Sequence, residues 1–403
     1  MEFEVEIEKL VYGGRGLARA AGRVVLAPFV LPGEQARVAA QIESADLIQA
    51  RTVEVQSKSP WRVEAPCPWF ARCGGCHYQH IDYSQQLAWK RDILLETLAR
   101  VGKIEWSQPV EILSADPWGY RNRTQLRVRK QGTRFQIGYF EHGSHRLCPI
   151  DACPISSPAL NRAIGELLRM GPRRQFPDFL RELELFTNEQ DLLLTVLESA
   201  QPVARRFFEW CAAEMEGFRR ERFLEYPVDG NLYRVSSRSF FQVNRLLAGR
   251  LAGLALADHA GQTAVDLYAG VGLFSLPLAG RFERVLAVDS SASAIEDLEF
   301  NTRRAGVTVE AHHAPADRFL EGSSGPIDFL LADPPRAGLG RAVTASLARV
   351  RPRRLTVVSC DPATLARDLR PLVEAGFQIL SLKLVDLFPQ TFHIESVVEL
   401  ASG

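Results

Sequence analysis

The sequence predicts an α/β protein whose residues 236–403 form a Rossmann-like, doubly wound sheet. A small OB-like β-barrel at residues 1–58 and an α+β central part at residues 59–235 precede it. Three observations carry this. Strand-like runs at Ala264–Leu267, Arg284–Asp289, Asp328–Asp333 and Leu355–Cys360 alternate with helix-like stretches, the rhythm of a mostly parallel sheet. Near the start, apolar residues alternate (Phe3, Val5, Ile7; Val24, Val25, Leu26; Ala36, Val38) between Gly13-Gly14 and Pro32-Gly33 turns, as short barrel strands do. Between these zones strands and helices mix, and all cysteines but one lie there.

Taken in order, the first helix is expected from Tyr83 to about Val101, with Leu87, Ile93, Leu94 and Leu98 on its apolar side. A strand follows from Arg121 to Lys130. Its odd positions, Arg121, Arg123, Gln125, Arg127 and Arg129, share one face, while Leu126 and Val128 take the other. Six basic and no acidic residues between 121 and 134 point to phosphate contact on that face. The last strand is read as Pro389–Val398, with His393, Glu395 and Val397 on one face.

Composition narrows the setting. Lysine plus arginine equals aspartate plus glutamate, 48 each, so only local patches can name a partner. Met1-Glu-Phe-Glu-Val-Glu-Ile-Glu lacks the basic and apolar regions of a secretory signal. No apolar stretch reaches the roughly 18 residues of a membrane span. Seven cysteines, three of them clustered, fit a reducing compartment and metal ligation better than disulfides. A cytoplasmic protein without membrane contact is expected.

The chemistry-bearing motifs gather at strand ends. Val265-Asp266-Leu267-Tyr268-Ala269-Gly270-Val271-Gly272 is a strand entering a glycine turn, and the next strand ends in Asp289, placed to take a ribose diol. Position 275 is serine rather than the third glycine of a nicotinamide fingerprint, which favours the looser adenosylmethionine variant. Asp333-Pro334-Pro335-Arg336 closes another strand, its prolines turning Asp333 toward a ligand. Cys360 ends a strand, and Asp361-Pro362 starts a helix beside it, a placement expected to lower the thiol pKa. Cys67-x5-Cys73-Gly-Gly-Cys76 is compact enough for a metal centre; ligand type does not separate zinc from iron–sulfur. Cys148 and Cys153 both offer a fourth ligand, and spacing does not choose.

Together the motifs resemble one family, the adenosylmethionine-dependent RNA uracil-5-methyltransferases. The likeness runs through Ser239-Phe-Phe-Gln242-Val-Asn244, Asp266–Gly272, Asp333–Gly338, Ser359–Asp368 and Phe388–Glu395, with residues 1–58 like the TRAM domain of many members. It implies Gln242, Tyr268, Asp289 and Asp333 around S-adenosylmethionine, Cys360 as nucleophile and Glu395 as general base. It further implies a 4Fe-4S cluster on Cys67, Cys73 and Cys76. The fourth ligand is expected at Cys153, just before the Ser157-Pro158 helix start. The expected substrate is a uridine in RNA, large-subunit rRNA ahead of tRNA, flipped out to be reached, with no DNA partner and a monomeric enzyme. The alternatives are a tRNA-directed enzyme, a cytosine-5-methyltransferase, or a non-catalytic iron–sulfur RNA-binding protein that keeps the fold.

Overall fold

The strands read from the last third of the chain assemble into the largest sheet. A computed structural model describes all residues, 1–403. Eight strands lie in the order Glu310–His313, Phe282–Asp289, Gly261–Leu267, Phe329–Ala332, Arg354–Ser359, Glu395–Ser402, Phe377–Val385, Glu111–Leu113. The first five are parallel; Glu395–Ser402 runs antiparallel to both its neighbours. Central strands buried on both faces require continuous apolar runs, and Phe329-Leu-Leu-Ala332 is buried throughout. The helix Pro362–Glu374 starts as its sequence dictates: the Asp361 carboxylate accepts from the Ala363 and Thr364 amides at 2.9 and 2.8 Å. Its Leu365, Leu369 and Leu372 are fully buried against the sheet, each worth about 1.5–3 kcal/mol of transfer free energy.

Residues 83–113 join this layer. The helix Tyr83–Thr97, capped by Asp82, continues into a π-turn at Leu98–Gly102 and packs Leu94 and Leu98 into the same core as Leu365 and Leu369. Gly102 comes so close to the neighbouring helix that a Cβ there would sit 3.0 Å from the Ala366 carbonyl. The strand Glu111–Leu113 then adds an edge beside Phe377–Val385.

The N-terminal six strands order as Glu2–Glu6, Gln35–Glu43, Leu47–Ser57, Arg23–Pro28, Arg15–Ala20, Lys9–Val11. Ile7 and Glu8 alone separate the strands at the two edges, so the sheet curls around Val5, Val25, Val38 and Ile48. A five-stranded antiparallel sheet lies between (Leu147–Pro149, Arg134–Phe140, Arg123–Gln131, Leu180–Thr187, Leu192–Ser199), with helices Pro158–Met170 and Arg205–Glu214 on one face. The architecture is the α/β fold with a curled N-terminal sheet that the patterns imply.

Two local readings change. Residues 389–394 form no strand; the strand begins at Glu395. Gln390 takes a left-handed φ of 67°, and contacts from outside the segment override its alternating pattern. The arginine strand has the expected alternation, with Gln125 and Arg129 exposed and Leu126 and Val128 buried. Its charge is partly neutralised by the adjoining strands, because Arg127 pairs with Glu182 and Glu198 at 3.2 and 2.9 Å. Arg123 lies over Phe186 at 4.0 Å and 3.7 Å from Glu184. Lys130 turns inward and donates to the Arg173 and Phe176 carbonyls.

Candidate active site

The catalytic residues named from sequence meet through strand register. Ser359 pairs with Ser396, so continuing the antiparallel ladder by one pair sets Cys360 beside Glu395. Asp333 leaves the adjacent parallel strand and accepts from the Gln242 amide at 3.2 Å. The motif holding Gln242 is pinned along its length. The Ser239 hydroxyl donates to Asp297 at 2.7 Å, Asn122 donates to the Gln242 carbonyl at 3.0 Å, and Asn244 donates to the Leu387 carbonyl at 3.0 Å. Tyr12, from a turn of the N-terminal sheet, donates to the Cys360 carbonyl at 3.5 Å and packs edge-on to Phe392. Nothing local in the sequence flagged Tyr12; the Gly13-Gly14 turn behind it was the only signal.

The electrostatics correct one expectation. Burial, and then the neighbouring Glu395, push the Cys360 thiol up to about 12 rather than down, with Asp333 and Asp361 adding to the rise. Arg336 pulls the other way, but the three acidic neighbours and a desolvated sulfur outweigh it. Glu395 is buried, accepts no hydrogen bond and is raised well above the carboxylate range by burial and by Asp333. Burial lifts Asp333 to about 7. A buried carboxyl beside a thiol, its ionised form disfavoured by burial, can take or give a proton, as general acid–base work requires. Exposed Arg336 lowers Cys360 and Glu395 alike. It also lies 3.4 Å from the His393 Nε2. Arginine only donates, so that nitrogen accepts; burial and Arg336 hold His393 down at about 3, leaving it neutral.

At the carboxyl ends of the parallel strands lies a cavity of about 310 Å³ lined by Tyr268, Asp289, Ser290, Pro315, Asp317 and Leu339, among others; Cys360, Glu395, Gln242 and Asp333 do not line it. Tyr268 has a φ of 62°, backbone strain of the kind found where a ligand must be met. A Cβ on Gly272 (φ 93°) would lie 3.0 Å from Leu276, so glycine is needed there. Asp289 accepts from the Gly270 and Ser291 amides at 2.9 and 2.8 Å. Each carboxylate oxygen keeps a second lone pair for a diol. The residue at the absent third glycine, Ser275, donates to the buried Asp266 at 2.5 Å. Asp317 is not marked by any local pattern, because the pairing of Glu310–His313 beside Phe282–Asp289 brings it to Asp289; Ser290 simply follows Asp289 in the chain.

A second cavity, of about 210 Å³, is lined by Cys67, Cys73, Cys76 and Cys153. Cys148 lies behind it in the strand Leu147–Pro149, against Cys73 but not on the cavity wall. Burial raises the Cys73 thiol to about 12, and Cys76 rises by burial and by Cys153. No three thiol, imidazole or carboxylate groups converge at single-ion distance.

The profile described as tRNA (Uracil-5-)-methyltransferase matches residues 224–311 and 323–402. The 23S rRNA (uracil(1939)-C(5))-methyltransferase of Shewanella amazonensis is 32% identical, over 98% of this chain and 94% of its own. That of Alkalilimnicola ehrlichii is 31% identical, over 98% and 95%. The chain belongs to the RNA uracil-5-methyltransferase family. A solved structure agrees: the Pyrococcus abyssi tRNA (uracil-54, C5)-methyltransferase in complex with S-adenosyl-L-homocysteine superposes with a TM-score of 0.74. It is 25% identical and covers 99% of this chain and 100% of its own. This family member is therefore an RNA uracil-5-methyltransferase that uses S-adenosylmethionine.

Proposed function

We propose that this enzyme methylates carbon 5 of one uridine in large-subunit rRNA through a covalent adduct on Cys360. The observation that carries the reading is the register that sets Cys360 against Glu395, at the same edge of the sheet as the Asp289 cavity. Cys360, once deprotonated, adds to carbon 6 of uracil and makes an enolate. Bound S-adenosylmethionine supplies an electrophilic methyl group, which carbon 5 takes. Glu395 then removes the carbon-5 proton, the electron pair restores the 5,6 double bond, and the thiolate leaves. Arg336, facing both carboxyl and thiol, favours their ionised forms as the flipped base enters. Tyr268, Asp289, Gln242 and Asp333 hold the methyl donor.

The rRNA choice is supported by relatives whose names carry that substrate at 31–32% identity, against the tRNA enzyme at 25%. We assign Cys67, Cys73, Cys76 and Cys153 as ligands of a 4Fe-4S cluster. A cavity of about 210 Å³ ringed by exactly these four cysteines suits a group larger than one ion. RNA contact is assigned to the curled sheet at 1–58 and to the groove of about 380 Å³ formed by Arg127, Arg129, Arg181 and His145. Residues 59–235 and 236–403 are taken as the cluster-bearing and catalytic parts. We take the enzyme to be a cytoplasmic monomer that works on neither DNA nor membranes; all seven cysteines are free, and no helix is long and apolar enough to cross a membrane. Mapping 5-methyluridine in rRNA and tRNA from a deletion strain tests the substrate. Loss of one rRNA site is expected; loss of a tRNA site instead would move the assignment.

A further inference from the structure

The segment joining Phe377–Val385 to Glu395–Ser402 is irregular, yet every carbonyl from Leu387 to Gln390 accepts a hydrogen bond from a residue distant in sequence. Asn244 takes Leu387, Lys90 takes Phe388 at 3.0 Å, and the Tyr120 hydroxyl takes Pro389 at 3.1 Å. The His77 and Tyr78 amides both donate to the Gln390 carbonyl, at 2.9 and 3.0 Å. Gln86 closes the arrangement from the helix Tyr83–Thr97. Its amide nitrogen donates to the Gln390 side-chain oxygen at 3.0 Å, and its oxygen accepts from the Gln390 backbone amide at 3.2 Å. Gln86, Gln390 and Tyr120 are all buried.

Gln390 has a φ of 67°, costly for a residue with a side chain, and such a conformation persists only where its surroundings over-determine it. Here they do. Gln390 stands five residues before Glu395, in the turn that leads into the strand that meets Cys360. We propose that Gln86, with the His77 and Tyr78 backbone, is a positioning device for Glu395: it locks the Gln390 turn and so decides where the carboxylate meets the adduct. The proposal rests on reading Glu395 as the base. Because His77 and Tyr78 directly follow Cys76, it also gives the cysteine-lined cavity a mechanical link to the proton-removal step.

A positioning role predicts a defect in one step rather than a general loss. Gln86→Met keeps the length of the side chain and removes both hydrogen bonds to Gln390, together with those the Gln86 amide donates to the Tyr78 and Ile81 carbonyls at 3.1 and 3.0 Å. On RNA carrying 5-fluorouridine, where the reaction stops before proton removal, adduct formation should stay within about twofold of wild type. On ordinary uridine, turnover should fall roughly tenfold or more and covalent enzyme–RNA should accumulate. Gln390→Gly, which keeps the left-handed turn and the backbone amide bond but removes the side-chain oxygen that Gln86 donates to, should show the same split in weaker form if Gln86→Met folds poorly. Equal losses in both reactions, or none in either, would overturn the proposal. Glu395→Gln run alongside separates the two claims. If it stalls and the Gln86 and Gln390 variants do not, the clamp is wrong. If it turns over freely, the base assignment fails and the proposal falls with it.

Discussion

The strand, cap and helix that present Cys360 all lie within residues 354–374, whereas the turn that presents Glu395 is held by groups drawn from residues 77–120 and from Asn244. The two side chains are neighbours across one strand pair. One is delivered by rules a short peptide already contains; the other depends on packing between parts of the chain hundreds of residues apart. The placement of Cys360, the proposed nucleophile, should therefore tolerate changes elsewhere, while that of Glu395, the proposed base, should be sensitive to substitutions far from it in sequence. Electrostatics does not follow that division: the adjacent Asp361 raises the thiol together with the distant Glu395 and Asp333, and the distant Arg336 opposes them.

The largest effect that tests this contrast is Cys360→Ala, which should reduce methylation to background and abolish the 5-fluorouridine adduct while S-adenosylmethionine still binds. An adduct surviving in that variant would remove Cys360 from the chemistry. Glu395→Gln comes next, with turnover slowed by roughly a hundredfold or more and covalent RNA accumulating on ordinary uridine. Should turnover stay fast, neutral His393, 3.4 Å from Arg336, is the next group to change. At the cysteine cavity, Cys153→Ser should cost most of the iron and the visible absorbance, and Cys148→Ser should keep both; the reverse pattern would place the ligand in the strand Leu147–Pro149.

The smallest effect concerns pH. Burial raises Asp266 and Asp333 to about 7, while the same carboxyls in the unfolded chain titrate near about 4. Between those values the folded state binds more protons than the unfolded one, so stability falls as pH rises through the window. The thermal midpoint should be lower at about pH 8 than at about pH 5 by on the order of a few degrees, and Asp266→Asn should shrink that difference. A midpoint that rises over the same interval would show that these carboxyls are not the buried pair described.

Much of the catalytic sheet was legible because its signals are local. Apolar runs such as Phe329–Ala332, the Asp361-Pro362 cap and the glycine turn after Leu267 each act through neighbours in sequence, and the strands came out within a few residues of their expected bounds. The Cys67–Cys76 spacing and the helix start at Ser157-Pro158 were equally readable. The failures share one cause. The Pro389–Ile394 strand was cancelled by hydrogen bonds from His77, Tyr78, Gln86 and Tyr120. The basic face was partly neutralised by Glu182, Glu184 and Glu198 on other strands of the sheet, while Arg129 stays exposed.

The sequence by itself determined the element types, the nucleophile's strand end and its capped helix, because propensity, capping and apolar periodicity are short-range. Only the tertiary structure decided that Cys360 faces Glu395, that burial and acidic neighbours raise the thiol, and that four cysteines line one cavity. Register, desolvation and field depend on which distant groups share a few ångströms, and no local pattern records that.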